Sequence, residues 1–247
     1  MQIHHPLHPV LKRARDLLER METIEDYTCT VVKRERIAGE LGDYAWIYLK
    51  LRHERPTAGS TEPPLAVYLR FLGPEEVAGR EVIYRPDVYG RKMIVRRGGP
   101  RFAYVTTSIA PDGDLAMQNS RYPLTEIGLK NMLKRLIEVG EQDAQRGECE
   151  VEYFTGSRID GRTCTAIRVT HPVRRSYFRY HKAEIFLDDE LQVPVRFASY
   201  GWPEEEGGEP RLLEEYTFTD VHLNVGLTDR DFDYRNPEYG FRKDYQP

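Results

Sequence analysis

Three groups of residues in this 247-residue chain have side chains and spacings that could do chemistry. The first is Asp229-x-Asp231-x-Asp233, the spacing with which a calcium loop opens. Such a loop needs a glycine for its sharp turn and a bidentate glutamate to close it, and those places hold Tyr234 and Gly240. The expectation is a solvated acidic tail and no metal site. The second group is His171, His181 and His222, each on or beside a stretch that reads as a strand. With a fourth ligand they would make a zinc set, but they lack the short spacing of structural zinc ligands. Separate imidazoles, hydrogen-bonded or exposed, are expected.

The third group lies at 171–182, where Arg174, Arg175, Arg179 and Lys182 interleave with Tyr177, Phe178 and Tyr180. Guanidinium forks and aromatic faces suit an anionic head group, a phosphate or a nucleic-acid strand. The rival reading is a solvated hairpin or wide loop whose aromatics pin it to a sheet, and the acidic balance of the chain favours it. Arg174, Arg175 and Arg179 are the head-group candidates. No Gly-x-Ser-x-Gly elbow, His-Glu-x-x-His, phosphate-cradling glycine loop or Gly-x-Gly-x-x-Gly after a strand occurs. No catalytic residue and no cofactor follow. A dispersed active site stays open, because triads share geometry and not spacing.

The stretch 181–232 shows what positions such groups. Ala183, Ile185 and Leu187 alternate with Glu184 and Asp188, and Asp188-Asp189-Glu190 then turns the chain. Val193, Val195 and Phe197 alternate with Arg196 before a second turn, Pro203-Glu204-Glu205-Glu206-Gly207-Gly208. A third run, 212–221, leads to Asn224 and the aspartate-rich tail. Period-two alternation bounded by Gly, Pro and Asp clusters predicts antiparallel strands with one buried face. Similar runs occur at 27–37 and 43–53 around a turn at 38–42, at 65–72 after a loop at 56–64, and at 80–85 and 91–97. Runs at 149–159 and 163–170 flank Asp160-Gly161, a strong hairpin cue. Pairing Ile159 with Arg162 puts Ser157, not Cys149, opposite Cys164. A disulfide within that hairpin is out of reach, and Cys29, Cys149 and Cys164 are expected as free thiols.

Two helices accompany roughly nine or ten strands, enough to curl a sheet. The first carries Val10, Leu11, Ala14, Leu17, Leu18 and Met21 on one stripe, with Pro9 at its first position. The second is predicted after Tyr122-Pro123, with Thr125 as N-cap, the stripe Leu129, Met132, Leu133, Leu136 and Ile137, and Gly140 as its stop. Between them 108–122 reads as a lid-like loop or as an ordinary crossover. The organisation expected is one domain over 1–247. It holds a helix at 8–23, a strand group at 26–107, the loop and second helix at 108–140, a second strand group at 149–222 and a tail at 223–247.

Bulk numbers narrow the function classes. With 36 basic and 40 acidic residues the net charge is −4, which argues against a nucleic-acid binder. No apolar run approaches the roughly 18 residues of a spanning helix. No leader is visible where His4, His5, Pro6 and His8 stand.

Several segments carry a resemblance. They are Asp26-Tyr27-Thr28-Cys29-Thr30 with Lys33-Arg34-Glu35-Arg36, then Gly79-Arg80-Glu81-Val82-Ile83-Tyr84, and then Leu213-Glu214-Glu215-Tyr216. The tail adds Leu223-Asn224-Val225-Gly226-Leu227 and Asp231-Phe232-Asp233 with Asn236-Pro237. Together they resemble the bacterial domain-of-unknown-function family numbered fifteen seventy-one, which carries no known activity. More distantly, the terminal meander is similar to the closing strands of the periplasmic lipoprotein-carrier superfamily, the outer-membrane lipoprotein sorting proteins. That resemblance implies an unclosed antiparallel β-barrel around helices, an apolar cavity for acyl chains, and a periplasmic or secreted protein. The long polar 108–122 loop and the missing leader depart from it.

The fold class expected is mainly β with two helices (α+β), a curled antiparallel sheet or unclosed β-barrel packed on helices. The function expected is non-enzymatic binding of a lipid or acylated peptide by apolar burial. Leu49, Val67, Leu69, Phe71, Ile185 and Val195 on strands, with Leu129, Leu133 and Leu136 on the second helix, are the cavity candidates. The same residues could instead fill a closed core. Two alternatives are an interaction or sensor module of the cell envelope that grips a hydrophobic protein segment, and a hydrolase with dispersed residues.

Overall fold

The computed structural model describes residues 5–53, 65–205 and 207–246. The loop expected at 56–64, and Glu206 of the acidic turn, lie outside the described residues. The elements are α1 (Leu7–Met21), β1 (Asp26–Ile37), β2 (Glu40–Leu41), β3 (Ala45–His53), β4 (Leu65–Gly73), β5 (Glu81–Tyr84), β6 (Met93–Arg96) and β7 (Thr106–Ile109). They continue as α2 (Asp114–Met117), α3 (Leu129–Ala144), β8 (Glu150–Ile159), β9 (Arg162–Thr170), β10 (Lys182–Asp188), β11 (Pro194–Gly201) and β12 (Arg211–Leu223). Single 3-10 turns occupy Leu124–Glu126 and Asp229–Phe232. The fold is mainly antiparallel sheet with helices. The sheet is not closed, since among the described residues β7 and β8 each have one partner strand.

The chain divides into two compact units. A helical unit comprises the described parts of 1–23, 34–42 and 128–217; a tail unit comprises those of 24–33, 43–127 and 218–247. In the helical unit the strand order is β12-β11-β10-β9-β8, beside α1 and α3. In the tail unit it is β7-β6-β5-β4-β3-β1.

Local chemistry accounts for the helix ends. α1 begins two residues before Pro9, which sits inside the first turn, where its missing N–H is no loss. His5 Nδ1 accepts the Leu7 N–H at 3.2 Å, satisfying one donor that a helix start leaves open. α3 does not begin at Thr125, which lies in the 3-10 turn. It begins after Gly128, whose φ of 103° only glycine adopts readily. Nor does it stop at Gly140. It runs on to Ala144, and Gly140 serves instead as a contact point, because a Cβ there would stand 2.9 Å from Leu11 Cδ2.

The β8–β9 hairpin has the predicted register, with Ile159 opposite Arg162 and Ser157 opposite Cys164. Asp160 and Gly161 both take positive φ, as a two-residue turn with the right twist requires. All three cysteines are free. Several expected boundaries shift. The turn expected over 38–42 is two residues, Ala38 and Gly39, after which β2 pairs back on β1. Strands β5 and β6 are shorter than the runs that predicted them. The lid-like 108–122 stretch gives Ser108 and Ile109 to β7, a strand not foreseen, and holds α2.

The largest departure concerns the tail, which is not solvated. Phe232, Tyr234, Tyr239 and Phe241 are buried against Ala66, Tyr68, Ile83 and Ile94 as one core. Tyr68 and Tyr239 stack with centroids 4.0 Å apart. Val67 and Leu69 on one face of β4 are buried, and so are Ala66 and Tyr68 on its other face. Buried Glu81 joins the layers, accepting the Tyr68 hydroxyl at 2.7 Å and the Gly240 N–H at 2.8 Å. Asp26 accepts the Gly226 and Leu227 N–H groups at 3.1 and 2.9 Å.

Candidate functional site: an apolar groove beneath the first helix

Within the helical unit, α1 and α3 lie against the apolar face of β9 and β10 and leave a groove of about 50 Å³. α1 contributes Leu7, Val10, Leu11, Ala14 and Leu17; α3 contributes Leu133, Leu136 and Gly140. The sheet side is Ile167 and Val169 from β9, and Ala183, Ile185 and Leu187 from β10. Alternation explains the last five, since residues two apart on a strand share a face. Tyr180 and Arg13 complete the lining, and both send their polar ends elsewhere. The Tyr180 hydroxyl donates to Asp143 Oδ2 at 3.2 Å, and the Arg13 guanidinium to Gln192 Oε1 at 2.5 Å. The walls are therefore apolar. A water needs about 10–15 Å³, so the groove holds a few small groups at most while the helices stay as they are.

Polar contacts also tie α1 to α3. Arg15 meets Glu141 at 2.6 Å, and Lys130 meets Glu22 at 2.6 Å. The Arg15–Glu141 pair is exposed on both sides and contributes at most about 1 kcal/mol, whereas Lys130 is itself buried and meets an exposed Glu22. Most of the attachment is the apolar stripe itself.

Of the nine cavity candidates, Leu133, Leu136 and Ile185 line this groove. Leu129 and Val195 are buried in the same unit but do not line it. Leu49, Val67 and Leu69 are buried in the tail unit. Phe71, also in the tail unit, is half-buried with the Arg80 guanidinium 5.3 Å from its ring centre. The α1 stripe Val10, Leu11, Ala14 and Leu17 was legible as a helix face but not assigned to a site; the β9 residues had no signal beyond alternation.

Beside the groove, His171 is fully buried and stacked on Phe178 at 3.8 Å. Its Nδ1 lies 3.2 Å from the Tyr180 carbonyl oxygen, which only accepts, so Nδ1 carries the proton. Nε2 faces Asp143 Oδ2 at 3.4 Å. Burial pushes His171 down to about 4, and burial raises Asp143 above the usual carboxylate range. The imidazole is neutral at neutral pH.

Among the head-group candidates, Arg174 and Arg179 are exposed. Arg175 is engaged by Glu148 through bonds of 3.1 and 2.8 Å, and Tyr177 donates to the same carboxylate at 2.8 Å. The three histidines behave singly. His181 Nδ1 lies 2.9 Å from the His171 carbonyl oxygen, while His222, in the tail unit, meets Asp220 at 2.8 Å. The tail aspartates are also spoken for. Asp229 takes Arg52 and Arg85 at 2.7 and 3.0 Å, and Asp231 takes Lys50 at 2.7 Å. Among the described residues no group of three or more His, Cys, Asp or Glu could hold a metal ion. Among them, too, no helix is long and apolar enough to cross a membrane.

The sequence profile of the family described as "Protein of unknown function (DUF1571)" matches residues 24–241, and the chain belongs to that family. α1 precedes the matched segment. A comparison with curated proteins gives no match. Among solved structures, the chain is similar to the Mycobacterium tuberculosis lipoprotein LppX, at 14% identity and a TM-score of 0.48, over 92% of this chain and 100% of that one. It is also similar to a putative outer membrane lipoprotein-sorting protein domain from Vibrio parahaemolyticus, at 13% identity and 0.42, over 91% and 96%. A LolA superfamily protein from Nitrosomonas europaea gives 12% and 0.35, over 89% and 97%. These are likenesses of fold.

Proposed function

We propose that this protein is a non-enzymatic binding protein of the cell envelope, periplasmic or secreted, that takes an acyl chain or similar apolar segment into the groove beneath α1. The observation that carries the reading is an unfilled groove whose lining is almost entirely aliphatic. Protein interiors are normally packed to crystal-like density, so an aliphatic space at a helix–sheet seam is a place where apolar surface can still be buried. The space is too small for an acyl chain with α1 seated, so entry requires α1 to move off α3. The exposed Arg15–Glu141 pair offers little resistance to that. Binding comes from apolar burial, about 25 cal/mol per Å², less the ordering costs of both partners. Exposed Arg179, next in sequence to the groove residue Tyr180, is the cation we assign to an anionic head group.

The test pairs stability with ligand uptake in wild type and Ala14→Leu. Wild type is expected to bind a fluorescent fatty acid saturably. The three added carbons in Ala14→Leu are expected to fill the groove, leaving the melting temperature nearly unchanged and cutting uptake at least tenfold. No uptake by wild type, together with overpacking that costs Ala14→Leu about 1–3 kcal/mol, would identify a closed core and end the reading.

A further inference from the structure

We propose that a second cleft, in the tail unit, is a binding site for a phosphate ester. The cleft measures about 510 Å³ and is walled chiefly by Arg85, Asp229, Arg230, Asp233, Arg235 and Asn236, none of them a groove residue. The wall sets three guanidiniums against two carboxylates, with Asp87 beside Arg85 as a third, and the wall carboxylates are already shared. Asp229 also takes Arg52 at 2.7 Å, and Asp233 is held by its neighbour Arg235 at 3.2 Å. Donors are left over. The buried Arg85 Nε makes no hydrogen bond and stands 3.5 Å from Asp87 Oδ2. The exposed Arg230 guanidinium has no partner among the described residues.

The backbone that carries Arg230 is held in place. It lies in the Asp229–Phe232 turn, where Thr228 and Asp231 form a capping box, and Phe232 beside it is fully buried. The buried Asn236 amide donates to the Arg230 carbonyl at 3.1 Å, while its oxygen accepts the Glu238 N–H at 3.1 Å. Asn236 is thus spent on the scaffold, and the arginines are what face the cleft. A site with an unengaged guanidinium, whose carboxylates already pair with arginines, suits an oxyanion. Guanidiniums from two chain segments suit a tetrahedral group, which offers several oxygens, better than a planar carboxylate, which one fork satisfies. The space exceeds a bare phosphate, so the ligand has a further part, and Tyr89 and Val88 provide a less polar wall for it.

The phosphate could belong to a soluble ester or to a lipid head group, and two probes separate these sources. Glycerol 3-phosphate is titrated calorimetrically, and protein is sedimented with phosphatidylcholine vesicles with and without phosphatidic acid. Wild type is expected to bind at least one phosphate probe, and Arg230→Gln and Arg235→Gln are each expected to weaken it about tenfold, the scale of one charge-assisted contact. Both side chains are exposed, and unchanged melting temperatures would show the variants folded. Binding of glycerol 3-phosphate assigns a soluble ester; binding confined to phosphatidic acid vesicles assigns a lipid head group. Binding of neither glycerol 3-phosphate nor phosphatidic acid, or variants that bind like wild type, would overturn the proposal.

Discussion

In the helical unit, the apolar face of β9 and β10 is covered by aliphatic side chains on α1 and α3. In the tail unit, Ala66, Tyr68, Ile83 and Ile94 are covered by aromatic rings from the last stretch of chain. The two covers face the same requirement, since a sheet face must be kept from water. They differ in how well they fill. A helix offers side chains only at its fixed period, so two helices crossing a sheet leave spaces between their stripes. An irregular segment can place each ring separately, and here it stacks Tyr239 flat on Tyr68. They also differ in attachment. The tail is anchored by buried Glu81 and by Asp26, whereas α1 is held by apolar contact and by ion pairs with exposed partners. The close-fitting cover reads as permanent and the loose one as movable.

Truncating one residue under each cover tests that contrast. Phe232→Ala is expected to cost about 3–5 kcal/mol in chemical denaturation, because a fully buried ring leaves a cavity that the anchored tail cannot collapse. Fatty-acid uptake should not rise. Leu133→Ala is expected to cost about 2 kcal/mol, the low end for Leu→Ala, because its surroundings are already unfilled. Uptake should rise as the groove widens. Equal gains in uptake from the two variants would erase the distinction between the covers.

Acid offers a finer test of the helical unit. His171 titrates near 4 when folded and near 6.5 when unfolded, so the unfolded chain binds the extra proton between those values. Stability from this group is complete above about pH 6.5 and is lost as pH falls toward about 4, by up to about 3 kcal/mol. Asp143, raised by burial, works in the opposite sense and gains stability as pH falls, which reduces the net effect. Melting temperatures across this window should fall in wild type and fall less in His171→Gln. Parallel profiles would show that the buried imidazole is not the group that titrates.

What was legible in the sequence follows the same division. The Asp160-Gly161 turn and the α1 stripe obey local rules, a two-residue hairpin and a helical period, and both appear where those rules put them. Alternation correctly named Val67 and Leu69 as inward, and likewise Ile185 and Val195. It does not say what lies opposite, so residues grouped as one cavity belong to two units. The tail escaped notice for a related reason. Its rings are spaced irregularly among Asp, Arg, Asn and Gly, a composition that reads as solvated. Only the ion pairs and Asn236 bonds seen in three dimensions account for its polar groups. Gly140 looked like a stop because its role depends on Leu11, distant in sequence.

The tail's position after β12 in chain order gives the protein a schedule. Tyr68, Ile83 and Ile94 leave the ribosome well before Phe232, and at about 5–20 residues per second the gap between Ile83 and Phe232 is roughly seven to thirty seconds. During that interval one face of β4, β5 and β6 has no cover from its own chain. Nascent chains arrested before Asp229 should accordingly be cut by protease within β4 to β6, and chains extended past Phe241 should resist. Equal resistance in both would mean that the sheet matures without its last layer. If the difference appears, synthesis of 229–241 is the step that commits this unit to its native state.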